Sequence, residues 1–500
     1  MSHKMLAASL SLALGALASL PAEAIHLSTD GRGQVLIYPY YTVNGGNATL
    51  ISVVNTTEEV KALRVRFREA MNGQEVWQFN LYLGPLDVWT GALTGASEVL
   101  DPIHAAAAAL QTSDRSCTVP QMPAEGQAFN NFEYAFNNDD GGPYEDSRTR
   151  AGYIEIIEMG RLTGEFAAAV TRTEAGLPAN CQRLVDAWHP GTQGQANGVW
   201  VDHPDDGLLP PSGGVYGGAE IVDVANGTNL SYSAEAVDGF YTLASGSLHD
   251  SPESWEQLNL GSARMSDDGT VSAYVIDDGE LIRLDFDESM SDAPGLKAIS
   301  AVLMREWVYN EFDSNPGFTT EWVLTFPTRG LHLRYPTRPD IGDDDREPFY
   351  VPYDYDIEIG EPYTYQAVDR EAQVFIPVSN PLRPPQPGSR IVLSVTVLSL
   401  NPEDAYRSVW RYGNPPTVLL GAYDTFPVFS LDLVGTAKLG FERSRYQLQD
   451  RNGHIIYGLP VLGFSAIRAT LEGGSGSALA NFSVTHRHHM KTTVETADTP

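Results

Sequence analysis

The sequence predicts a mainly β protein, an antiparallel β-sandwich with a few helices and long loops. Three observations carry this. Short runs alternate apolar and polar residues with a period of two, as in Leu63-Arg64-Val65-Arg66-Phe67-Arg68, which marks strands with one packed face. Turn residues such as Asn44-Gly45-Gly46 and Asn72-Gly73 punctuate those runs, and Gly and Asn supply the positive φ angles of tight turns. Helical spacing is confined to few segments.

The first 24 residues have the pattern of an export signal. Lys4 is the charged start, Met5 to Leu20 is apolar, and Ala22-Glu23-Ala24 is a small-x-small cleavage site, in the secretory order. The apolar part is short for a bilayer span, which takes roughly 20 apolar residues. No Cys follows the site, which argues against a lipid anchor. The mature chain is expected to begin near Ile25, with no membrane span after signal removal. Its expected location is secreted: periplasmic, cell-surface or extracellular.

Residues 33–57 read as a hairpin around Asn44-Gly45-Gly46. Val76 to Leu83 places Trp77, Phe79, Leu81 and Leu83 on one face. Residues 33–95 therefore form a meander, with the arginines of 64–68 on its solvated face. Asp101 to Gln111 reads as a short helix, with Asp101 as N-cap, Pro102 in the first turn and five alanines. Residues 112–150 and 189–218 read as long loops, flanking a strand at Tyr153–Glu158 and a helical turn at Cys181–Trp188. Leu296 to Phe312 is the most helical stretch, with Leu296, Ile299, Leu303 and Trp307 on one stripe. Glu321 to Phe326 returns to strand, and residues 337–348 read as a linker or large loop. Ile391 to Val397 and Ala478 to Thr485 alternate again as strands. The predicted organisation is a signal peptide at 1–24, an N-terminal β-rich domain at 25–336, a C-terminal sandwich-like domain at 349–490 and a flexible tail at 491–500.

Lys plus Arg total 32 against 64 Asp plus Glu, a formal net charge of −32. A field of that sign repels nucleic acid, which is excluded as a partner. A saline habitat explains such acidity as well as dedicated cation sites do. The two cysteines, Cys117 and Cys181, are expected to pair in an oxidising compartment.

Four Asp-Asp-Gly triplets occur, but none has the ligand spacing of an EF-hand loop, and turns account for them. Asp343, Asp344 and Asp345 are the better calcium candidates, since adjacent carboxylates could share an ion; a solvated charge run is the plain alternative. Calcium is the one cofactor the sequence points to. His486 and His488 would share a strand face, with His489 beside them, but no other ligand set accompanies them. The segment 349–366 holds Tyr350, Tyr353, Tyr355, Tyr363 and Tyr365 among acidic residues, a candidate ligand surface. No nucleophile elbow, HExxH, Walker A loop or dinucleotide fingerprint is present. A carboxylate pair for glycoside hydrolysis needs no local spacing, so the acidic residues leave that chemistry open.

The stretches "VLIYPYYTVNGGNATLISVVNTT", "RVRFREAMNG", "FNLYLGPLDVWTGAL", "NEFDSNPGFTTEWVLTFPTRG" and "GLPVLGFSAIRATLEGG" resemble a family of secreted bacterial β-rich proteins to which no activity is assigned. The resemblance touches the beginning, middle and end of the chain. It implies export and a shared β fold, and transfers no catalytic residues. It also leaves open a single discontinuous domain in place of two. The leading functional expectation is a non-enzymatic secreted or cell-surface protein, structural or adhesive, whose partners are itself or a cell-surface polymer. The second is a secreted carbohydrate-binding or carbohydrate-active protein.

Overall fold

A computed structural model describes residues 24–192, 195–253, 258–333, 346–353, 360–375, 390–400, 417–422, 434–472 and 478–496. The chain is mainly β, and its sheets are antiparallel. Val35–Thr42 and Ala48–Asn55 are both strands, but they do not pair. The first lies between Glu235–Asp238 and Ala151–Leu162 in an eight-stranded sheet; the second lies between Val215–Asp223 and Val88–Gly95 in a six-stranded sheet. Asn44-Gly45-Gly46 is thus a corner between sheets and not a hairpin turn. The reason is burial: every residue of Val35–Thr42 is buried, so the strand needs neighbours on both edges and cover on both faces, and the chain steps across the core. Asn72-Gly73 does close a hairpin, between Val60–Glu69 and Glu75–Leu83.

The two sheets enclose a first core, in which Leu63, Val65, Phe67, Phe79 and Leu81 meet Ile51, Val53, Trp89 and Leu93. A second core lies on the far side of the eight-stranded sheet. There Ile37, Ile157 and Met159 meet the helix Pro294–Leu303 and the hairpin of Val271–Asp277 with Glu280–Phe286. A four-stranded sheet (Val395–Ser399, Phe318–Thr325, Leu462–Glu472, Ala478–Arg487) and a five-stranded one centred on Val434–Gly440 share a third core around Trp322, Leu324, Leu398 and Leu439. The first and third parts touch through Tyr40, Tyr153 and Ile221 packed on Val323, Val395 and Phe464. Backbone bonds from Ser394 to Met71 (2.7 Å) and Val395 to Ala70 (2.8 Å) join them as well.

Three sequence expectations change. Asp101–Gln111 is not a helix. The Asp101 carboxylate accepts the amides of Ile103 and His104 in a turn, and Ala108–Gln111 then forms a strand beside Val88–Gly95. Sheet pairing outweighs alanine's high helix propensity there, because propensity is worth only tenths of a kcal/mol per residue and tertiary context overrides it. The helix expected over 296–312 stops at Leu303. Trp307–Asp313 is a strand that turns at Pro316-Gly317 into Phe318–Thr325, with alternate residues Val308, Asn310 and Phe312 buried. The tail is strand as far as Thr496: His489–Lys491 pairs with Trp307–Tyr309, and Val494–Thr496 with His454–Ile456. Its polarity misleads because backbone groups, not side chains, make those bonds.

The solvated arginine face is the largest departure. Arg64, Arg66 and Arg68 are buried. Arg66 Nε donates to Glu75 at 2.7 Å, and Arg68 Nε to Glu155 at 2.9 Å. Arg64 and Arg66 also donate to the carbonyls of Asp250 and Leu258, in the segment that covers this face. Burial weakens the Arg64 cation, whose pKa falls to about 10. Burial opposes the charge of Arg68 too, but Glu155 more than offsets it and holds the guanidinium above its usual range.

Candidate functional site

The outer face of the six-stranded sheet is open, and an elongated groove of about 990 Å³ crosses it. Strand alternation builds it. In Ala48–Asn55, Ile51 and Val53 point to the core while Leu50 and Ser52 point out; in Val215–Asp223, Ala219 and Ile221 point in while Gly218 and Glu220 point out. Pairing then lines the outward residues up across strands. One row runs Thr90, Ser52, Gly218, Ser233, and the next Gln111, Ala92, Leu50, Glu220, Ser231. With neighbouring strands about 4.8 Å apart, five strands make a trough about 20 Å long. Gly217 makes the wall thin: a Cβ there would fall 1.9 Å from the Tyr38 hydroxyl, which passes between strands to donate to Ser52 O at 2.7 Å.

One end of the trough is charged. Arg487 pairs with Glu235, and the buried Arg305 lies near enough to act on the same carboxylate. Burial raises the Glu235 pKa, while Arg487 and then Arg305 pull it back. The trough itself offers hydroxyl groups, one amide, the Glu220 carboxylate and an apolar rim at Leu50. Apart from Glu220 these are neutral hydrogen-bonding partners at repeated spacing, suited to holding a polyhydroxylated chain.

Sequence signals lead elsewhere. Cys117 and Cys181 form a disulfide with Cα atoms 5.1 Å apart, tying the edge strand Cys117–Val119 to the helix Gln182–Ala187. Beside it Tyr82, Trp188 and His249 share hydrogen bonds of 3.0 Å, and burial lowers the His249 pKa to about 3. Asp343, Asp344, Asp345 and Tyr355 lie outside the described residues. Among the described residues no group of three or more His, Cys, Asp or Glu could hold a metal ion.

The tyrosine segment is not one surface. Tyr353 is buried, with the Arg148 guanidinium 5.6 Å from its ring centre. Tyr363 is buried in the third core, and the Tyr365 hydroxyl is buried without a partner. Tyr350 alone of these four is exposed, and its phenol is pushed up to about 12 by burial and by Glu347. Of these four only Tyr365 lies on a strand, Thr364–Asp369, so no regular alternation gathers them on one face. The histidine face also divides. His488 turns inward, accepting from Asn310 Nδ2 and donating to Val323 O, both at 3.0 Å, while His486 and His489 stay exposed. A Ser300–His332 contact of 2.8 Å resembles a nucleophile with its base, but both side chains are fully buried. It knits the helix Pro294–Leu303 to Arg329–His332.

No protein-family model, curated protein or solved structure matches the chain. The trough was missed in the sequence because its residues are individually bland. The available signal is that half of the outward positions on Ala48–Asn55, Val88–Gly95 and Val215–Asp223 are Ser, Thr, Gly or Ala and only Glu220 is charged, in a chain with 64 acidic residues.

Proposed function

We propose that this is an exported, non-enzymatic adhesive protein that holds an extended cell-surface polymer, a glycan by chemistry, along the trough of its six-stranded sheet. The observation that carries this reading is the pair of rows of mostly uncharged, hydrogen-bonding side chains, one across four strands and one across five, in a groove of about 990 Å³. Export rests on the leader at 1–24, and a disulfide and the absence of a long apolar helix among the described residues are compatible with it. Adhesion is favoured over assembly by strand edges because two long edges face each other within the chain. Side chains Asn481, Ser483 and Thr485 of one donate to carbonyls of Asn226, Asn229 and Ser231 of the other.

The test is co-sedimentation of residues 25–500 with insoluble cell-surface polysaccharides. Thr90→Trp and Ser233→Trp, both at exposed positions, fill opposite ends of the trough and should lower retention at least tenfold without changing the melting temperature. Retention unchanged by both variants, or no retention on any polysaccharide, rules this reading out.

A further inference from the structure

Ala24 and Ile25, on either side of the expected cleavage point, are both fully buried in the folded chain. The Ile25 side chain belongs to the second core. Its amide donates to Ser272 O at 2.8 Å and its carbonyl accepts from Tyr274 N at 2.8 Å, in a parallel bridge opposite Ala273. His26 and Leu27 pair on the other side with Asp238 and Val237. Ile25, His26 and Leu27 thus stitch the eight-stranded sheet to the hairpin of Val271–Asp277. The carbonyl before them is enclosed as well. His26 Nδ1 lies 3.0 Å from Ala24 O, and a Cβ on Gly239, whose φ is +70°, would sit 2.3 Å from that oxygen.

We propose that cleavage between Ala24 and Ile25 precedes folding, and that the mature protein holds the new α-ammonium of Ile25 as a buried anchor on Ser272. The inference rests on the export reading above and is independent of what the trough binds. In the cleavage, water adds across the amide: Ala24 leaves as a carboxylate and Ile25 keeps the nitrogen as an ammonium. A processing enzyme needs that bond accessible, and in the fold the residues on both sides of it are buried. After cleavage one N–H keeps the Ser272 carbonyl, and the others face the space that Ala24 occupied beside Gly239. Buried charged donors persist only when they are hydrogen-bonded, so this terminus locks the first strand rather than fraying as most termini do.

Three measurements test it on the exported protein. N-terminal sequencing should give Ile25. An amine-acylating ester at neutral pH should label the Ile25 α-amine at least tenfold more slowly in the native protein than in urea, read on the N-terminal peptide by mass spectrometry. Gly239→Ala should lower the melting temperature more in a chain that begins at Ala24 than in one that begins at Ile25, because only the former retains the oxygen the new methyl would strike. Equal labelling rates in native and unfolded protein, or equal losses from Gly239→Ala, overturn the anchor and leave export standing. A different first residue overturns the anchor together with the predicted cleavage point.

Discussion

Two strands of the first sandwich alternate core residues with residues of the opposite face, and those two opposite faces have different fates. On Val60–Glu69 the residues alternating with Leu63, Val65 and Phe67 are arginines, and that face is covered by Asp250, Pro252 and Leu258, whose carbonyls accept from Arg64, Gln78 and Arg66. On Ala48–Asn55 the residues alternating with Ile51 and Val53 are Leu50, Ser52 and Val54, and that face is open. Alternation therefore reports that a strand has two unlike faces, not that one of them is wet. The choice follows from charge. In a chain of net charge −32 basic residues are scarce, and several are drawn inside to neutralise buried carboxylates. Arg148 shows it most fully. It bonds Glu69 and Asp140 at 2.9 and 2.6 Å, and all three side chains are fully buried. Burial works against its charge, yet Glu69 and Asp140 hold it well above its usual range.

Removing that cation breaks the sealed face hardest. Arg148→Met leaves two buried carboxylates unpaired and should cost about 5 kcal/mol of unfolding free energy, the upper end for a broken buried pair. On Val60–Glu69, the strand that carries Glu69, Phe67→Ala should cost about 4 kcal/mol, as a core truncation. Denaturant titration measures both losses, and an Arg148→Met loss smaller than that of Phe67→Ala would show that the cation is not what holds this region together. A smaller effect concerns His488. Its pKa is pushed down to about 4 by burial, against about 6.5 unfolded. A depressed pKa contributes stability that is present above pH 6.5 and lost as pH falls towards 4. His488→Asn should flatten the stability profile in that window, and an unchanged slope would show that His488 is not its source. The smallest effect belongs to the open face. Arg487 is mostly exposed, so Arg487→Gln should change stability by no more than about 0.5 kcal/mol.

Much of the fold was legible. The strands at 35–42, 60–69, 75–83 and 478–487 lie where apolar runs and Gly-containing turns put them, and the disulfide followed from the two cysteines and the expected export. What failed was long-range. Nothing local tells Asn44-Gly45-Gly46 that its flanking strands belong to different sheets, nor tells Ala107–Leu110 that a neighbouring strand awaits it. The site failed for the same reason. Ser52, Thr90, Gly218 and Ser233 stand far apart in sequence and become a row only through register. The tyrosines of 350–365 advertised a surface, yet most of those described are interior.

The most direct measurement is hydroxyl-radical footprinting of residues 25–500 with and without a soluble fragment of the retained polysaccharide. Leu50 and Tyr216 report on the open face, at 42% and 44% exposure, and Phe482, at 60%, reports on the four-stranded sheet. The account predicts that the polymer protects Leu50 and Tyr216 and leaves Phe482 oxidised as before. Protection at Phe482 with Leu50 and Tyr216 unchanged would contradict it and move the binding surface to the other half of the molecule.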